Sequence, residues 1–214
     1  PDTGVVLIYL LITTVMLFVS GIRYRWFFLV IMVIATISGF TLGIYFLKEE
    51  LFIKIFGNSF FLRVHRILDW SNKSGYQLQN SLISIGSGGL LGHGFKKTPL
   101  YFPEPQTDFI FAVYASCFGL LGSFILLTLI TCIDIKLVKI AKKSKQGIDQ
   151  YVMSGIIGML IYQQVQNIGM TFGLLPITGI TLPFISYGGS SLISYMIILG
   201  IIFNVSNHNK KLQN

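Results

Sequence analysis

Phe109-Ile-Phe-Ala-Val-Tyr-Ala-Ser-Cys-Phe-Gly-Leu-Leu-Gly-Ser-Phe-Ile-Leu-Leu-Thr-Leu-Ile-Thr-Cys-Ile-Asp-Ile135 decides the fold class. Apart from Asp134 it carries no charge, and it exceeds the roughly 20 apolar residues that a helix needs to cross a bilayer. Four more apolar runs occupy residues 4–21, 26–47, 151–172 and 190–205. None alternates as a barrel strand would, so each closes its backbone hydrogen bonds internally only as a helix. The expected fold is all-α, a polytopic membrane protein with about five transmembrane helices.

Composition agrees. The 214 residues have a mean hydropathy of +0.72, with 53% hydrophobic and 11% charged residues, against about a quarter charged in soluble domains. The net charge of +8 is no nucleic-acid signal, because its cations sit in short loops between apolar runs, as membrane topology requires. Lys136, Lys139, Lys142, Lys143 and Lys145 fill the loop 136–150; Arg23 and Arg25 mark a second turn, and Lys210 and Lys211 the tail. Strict alternation of five spans makes all three cytoplasmic, and places residues 1–2, 48–107 and 173–189 outside. Cys117 and Cys132 lie in an apolar run without metal or disulfide spacing. The chain opens at Pro1 with no signal peptide before its first run. It is expected to be the C-terminal part of a longer protein, one membrane domain over 1–214.

The external segment 48–107 is too long for a plain connection and too polar for a span. Residues 51–68, with Lys54, Arg63 and Arg66, suggest an amphipathic helix, either interfacial or packed on other helices. Next comes Ile85-Gly-Ser-Gly-Gly-Leu-Leu-Gly-His-Gly-Phe95, with five glycines from Gly86 to Gly94. Tight turns are the first expectation and a backbone phosphate cradle the second; His93 reads as a turn residue. In Pro103-Glu-Pro-Gln-Thr-Asp108, Thr107 is placed to cap the following helix and Asp108 to stand in its first turn. The dipole there favours an ionised carboxylate, whether a proton acceptor or only a complement to the helix end.

Gln163, Gln164, Gln166 and Asn167 put a polar cluster inside the fourth run, where such residues bond across helices or line a cavity. Pro176, Pro183 and Gly188-Gly189 predict a broken, re-entrant segment over 173–189, tolerated only against protein or water.

Several blocks resemble the SEDS family, whose members include FtsW, RodA and SpoVE. They are Pro1-Asp-Thr-Gly4, Gly75-Tyr-Gln-Leu-Gln-Asn-Ser-Leu-Ile-Ser-Ile-Gly-Ser-Gly-Gly-Leu90, Pro103-Glu-Pro-Gln-Thr-Asp-Phe-Ile-Phe-Ala112, Asn167-Ile-Gly-Met170 and Gly173-Leu-Leu-Pro-Ile-Thr-Gly-Ile-Thr-Leu-Pro-Phe-Ile-Ser-Tyr-Gly-Gly-Ser-Ser191, in family order. The resemblance implies ten helices with both ends cytoplasmic, of which this chain holds the sixth to tenth. It implies polymerisation of lipid II, the undecaprenyl-linked disaccharide precursor, into peptidoglycan, beside a class B penicillin-binding protein in a bacterial cell membrane. It also makes Asp108 the essential carboxylate.

On that reading Asp108 is the general base, and Glu104 orients a sugar or helps hold a divalent cation, Mg or Mn. Arg63, Arg66, Lys96 and Lys97 are external cations for the pyrophosphate; lipid headgroups or Asp69 are the alternative partners. Asp2, Asn167, Ser186, Ser190 and Ser191 are candidate substrate contacts. Two other function classes stay open, a lipid II transporter (flippase) and a non-catalytic scaffold for the penicillin-binding protein. The chain departs from the family at Tyr114-Ala-Ser-Cys-Phe-Gly119, where members commonly carry a Glu-Glu pair before the closing glycine.

Overall fold

A computed structural model describes residues 3–47, 49–58, 60–62, 64, 75–98, 104–144 and 147–211. The described helices are α1 (Thr3–Val19), α2 (Tyr24–Leu47), α3 (Glu49–Phe56), α4 (Tyr76–Ser87), α5 (Ile110–Lys143), α6 (Gly147–Thr171) and α7 (Gly189–Lys211). No described residue is in a strand. The five apolar runs thus become α1, α2, α5, α6 and α7. The runs underestimated α5 and α7, which continue to Lys143 and Lys211; Lys142 and Lys143 suit the carbonyl-rich end of α5.

By length and composition α2, α5 and Gly189–His208 of α7 are able to cross a membrane. The α6 helix is not among them, since Gln163, Gln164, Gln166 and Asn167 dilute its apolar content. All four are buried, so the polar face of α6 turns into the protein.

That makes α6 the centre of the bundle. Leu137 of α5, Met153 and Leu160 of α6, and Tyr195, Ile202 and Val205 of α7 form one core cluster. On its other side α6 receives α1 over two glycines. A Cβ on Gly155 would meet the Met16 Sδ at 3.2 Å, and one on Gly158 the Val15 Cγ2 at 3.0 Å. Small residues let the two backbones approach where water supplies no driving force. The α2 helix buries none of its residues and presents apolar side chains all round, as a helix facing hydrocarbon does.

Within the expected amphipathic stretch, α3 covers residues 51–56, and residues 58, 60–62 and 64 are helical as well. Phe52 is fully buried there, its ring 4.9 Å from Phe56, 5.8 Å from Phe60 and 5.4 Å from Tyr45. The apolar face of α3 therefore closes on its own aromatic cluster. Arg63, Arg66 and Asp69 lie outside the described residues.

The glycine-rich loop has a definite job. Helix α5 is broken at Gly119 (φ 63°, ψ −162°), and residues 88–94 fill the break. His93 N–H donates to the Ser116 carbonyl and Gly94 N–H to that of Cys117, both at 3.0 Å. In return Leu120 N–H donates to the Gly89 carbonyl at 2.9 Å and Leu121 N–H to Leu90 at 3.2 Å. Backbone groups freed by the break are thereby satisfied without water, as a membrane helix requires. Ser116 and Cys117 are buried in this junction.

Candidate functional site at the start of α5

Asp108 does not sit inside the first turn of α5. The cap position falls on Phe109 (φ −105°, ψ 24°), which has no side-chain cap. The Thr107 hydroxyl instead donates to Glu104 Oε2 at 3.0 Å, and a turn closes from Phe109 N–H to the Glu104 carbonyl at 3.3 Å. The expectation of a Thr107 cap fails because Glu104, exposed and at φ 52°, reaches back to take that hydroxyl. Asp108 stands half-buried, two residues before the first helical residue, Ile110.

Two polar side chains hold this turn against the segment linking α6 to α7. Ser186 Oγ donates to the Thr107 carbonyl at 2.6 Å and accepts from Leu182 N–H at 2.8 Å. Tyr187 N–H donates to the Gln106 carbonyl at 2.9 Å. Asn167, fully buried on α6, donates its amide to the carbonyls of Asp108 and Ile180, each at 2.8 Å. Gly179 then lies beneath the carboxylate: a Cβ there would be 3.3 Å from Asp108 Oδ2. Nothing in the sequence marked Gly179, apart from its place in the glycine- and proline-interrupted segment.

That segment forms no helix over 172–188. It folds back on α6 through Gln166, whose Nε2 donates to the Pro176 carbonyl at 2.8 Å. Leu174 N–H reaches the Gly169 carbonyl at 2.9 Å. Phe184 takes a left-handed backbone (φ 65°) and sets its ring 5.0 Å from that of Tyr195, tilted by 45°. A bulky residue in that region is held there by its surroundings.

The other two glutamines of the cluster bond between helices. Tyr195 OH donates to Gln163 Oε1 at 3.3 Å, and Gln164 Nε2 donates to Asp134 Oδ1 at 3.2 Å. Ser81 on α4 adds a tie, donating to the Thr171 carbonyl at 2.9 Å.

The structure thus gathers Asp108, Glu104, Asn167 and Ser186. Ser190 is exposed in the first turn of α7, and Ser191 Oγ bonds the Gly188 carbonyl at 3.0 Å. Lys96 and Lys97 are exposed on the far end of the glycine-rich loop, Lys96 Nζ lying 5.7 Å over the Phe95 ring. That loop is pinned at Ser116–Cys117, about two turns of α5 beyond Asp108, and no described contact brings either lysine to the carboxylate. Asp2 and Arg66 lie outside the described residues. Among the described residues no three His, Cys, Asp or Glu side chains converge; Glu104 and Asp108 are the carboxylates of this turn. The loop amides that a phosphate cradle would need at His93 and Gly94 already bind α5, which favours the turn-forming reading.

A family model described as "Cell cycle protein", for FtsW, RodA and SpoVE, matches residues 1–211. Stage V sporulation protein E of Bacillus subtilis (strain 168) is 36% identical over 219 residues, covering 98% of this chain and 56% of that protein. A probable peptidoglycan glycosyltransferase FtsW of Coxiella burnetii is 36% identical over 214 residues, covering 96% and 55%. The peptidoglycan glycosyltransferase MrdB of Escherichia coli (strain K12) is 33% identical over 219 residues, covering 99% and 56%. A solved structure described as "Structural coordination of polymerization and crosslinking by a peptidoglycan synthase complex" superposes with a TM-score of 0.75 at 27% identity, covering 98% of this chain and 56% of its own. The chain spans about half the length of the curated relatives it matches. With an all-helical polytopic fold and a match running from end to end, it belongs to the FtsW/RodA/SpoVE family.

Proposed function

We propose that the protein carrying this chain polymerises lipid II into the glycan strands of peptidoglycan, with Asp108 as general base. One observation carries the reading. Asp108 sits at the head of α5, its main chain fixed by Asn167 and its carboxylate set over the side-chain-free Gly179. An acceptor sugar hydroxyl held there attacks the anomeric carbon of the donor. Its proton passes to the carboxylate, the carbon–oxygen bond to pyrophosphate breaks, and undecaprenyl pyrophosphate leaves with the bonding pair. A positioned base contributes about 10²–10⁴-fold to such a step.

Glu104, on the same turn, is the ligand this site offers a divalent cation. Hard carboxylate oxygens suit Mg or Mn, and magnesium keeps waters and substrate phosphates as its other ligands. Bound, such an ion would neutralise the leaving pyrophosphate. Lys96, Lys97 and Arg66 would draw the anionic donor toward the same face, and a class B penicillin-binding protein would crosslink the product. The position of the acids supports catalysis over transport. Glu104 and Asp108 precede α5, Asp134 lies near the lysines at its other end, and residues 110–133 carry no charge. A transporter would hold ionisable groups between those ends.

The test takes the full-length protein with its penicillin-binding partner and labelled lipid II, on a gel that resolves glycan strands. Polymer from wild type, and none from a folded Asp108→Ala variant, is the expected result. Equal polymer from both would falsify the assignment of the base. Lipid II bound but unpolymerised by either would return the reading to transport or scaffolding.

A further inference from the structure

Asn167 shows a bonding pattern that a substrate ligand would not need. Its side chain is fully buried, yet both amide hydrogens go to main-chain carbonyls of different segments, Asp108 ahead of α5 and Ile180 in the re-entrant segment. Its Oδ1 is buried with no partner. The reverse amide orientation would set an oxygen 2.8 Å from two carbonyl oxygens, which is repulsive, so the donor must face them. A buried acceptor left unmatched is rare and calls for a reason. Here the reason is geometric. One nitrogen must supply two diverging donors in a space closed to water, which a hydroxyl with its single hydrogen does not do.

The consequence reaches the carboxylate. The Asp108 and Ile180 carbonyls are drawn to a common nitrogen, so Gly179, next to Ile180, is brought under Asp108 Oδ2. Ser186 ties the neighbouring residue, Thr107, to the same segment. We infer that Asn167 is a positioning residue: it contacts no substrate, and its amide fixes the distance between the Asp108 carboxylate and the floor of the site through two main-chain carbonyls. This deepens the general-base reading and rests on it for its kinetic consequence, though the clamp itself does not.

The experiment uses the full-length protein with its partner in lipid nanodiscs, as wild type, Asn167→Leu and Asn167→Gln. Leucine keeps the volume and removes both donors; glutamine keeps the donors on a longer arm. Local hydrogen exchange is read on peptides covering residues 104–113 and 178–188, alongside the thermal midpoint and steady-state kinetics with lipid II. Asn167→Leu is expected to speed exchange in those two peptides at least tenfold, with α1 and α7 unchanged. It should lower kcat about a hundredfold while KM stays within twofold, with Asn167→Gln recovering part of kcat. A raised KM with kcat preserved would make Asn167 a substrate ligand. Unchanged exchange in both peptides, or equal acceleration throughout the protein, overturns the clamp. Should wild type make no polymer, the polymerase reading fails, and the exchange data alone still decide the clamp.

Discussion

Gly119 and Gly92 meet backbone to backbone: a Cβ on Gly119 would stand 2.5 Å from the Gly92 nitrogen and 2.6 Å from the Leu90 carbonyl. Both glycines have positive φ, 63° and 78°, and a Cβ on Gly92 would likewise strike the Cys117 carbonyl. Neither side of the contact is a flexible side-chain end that can move away. Gly119→Ala is therefore expected to cost about 3 kcal/mol or more, from left-handed strain and overpacking together. Gly86→Ala, where the added methyl meets nothing within 4 Å, serves as the control and should be neutral or slightly stabilising. Thermal unfolding of the two variants in the same detergent separates them.

At Gly179 the added methyl would face Asp108 Oδ2 at 3.3 Å, on a backbone at φ 71°. The residue is exposed, so the global cost of Gly179→Ala should stay near the 1–2 kcal/mol of the backbone term. On the proposed reading the effect on rate should be larger, about tenfold or more, because small displacements of a reacting group are heavily penalised. Initial rates at saturating lipid II, set beside the melting point, check it; a rate equal to wild type would place the reacting hydroxyl elsewhere.

Ser186→Ala removes the donor to the Thr107 carbonyl and the acceptor of Leu182 N–H in one step. Leaving those groups without partners costs about 1–3 kcal/mol. Ser186→Thr retains the hydroxyl and should keep most of the stability. If the two variants melt alike, the hydroxyl is not what ties the segments together.

Lys96 and Lys97 are exposed and anchored only through their loop. Replacing both by Gln should leave stability unchanged. On the proposed reading it raises KM for the anionic donor, by about 1 kcal/mol for each charge near the membrane surface. It should also flatten the dependence of KM on salt. Kinetics at low and high ionic strength test this, and a KM indifferent to both changes would remove the lysines from donor capture.

How far the sequence reached differs from element to element. Hydropathy located α1, α2, α5, α6 and α7, because a bilayer imposes the same length and polarity rule on every span. The α5 break at Gly119 was invisible to it. A glycine in an apolar run looks the same whether it continues a helix or interrupts one, and only the loop lying 25 to 31 residues earlier closes the gap. The helix break over 172–188 was legible from proline and glycine placement. The Thr107 cap was not, since Glu104 competes for the same hydroxyl three residues away. For Gln163, Gln164, Gln166 and Asn167 the sequence offered two readings, and long-range partners chose between them: Tyr195, Asp134, and the carbonyls of Pro176, Asp108 and Ile180.

The polarity of α6 bears on how the protein enters its membrane. Three glutamines and an asparagine penalise partition of an isolated helix from the insertion machinery into lipid, whereas α5 partitions readily on its own. Only the short stretch between Lys143 and Gly147 separates them. Entry of α5 and α6 as a hairpin would offset that penalty, with α1 covering Gly155 and Gly158. The cluster that organises the site is then also a toll on biogenesis. Substitutions that make α6 more apolar should insert better and work worse, so yield in the membrane is a poor guide to fitness for this helix.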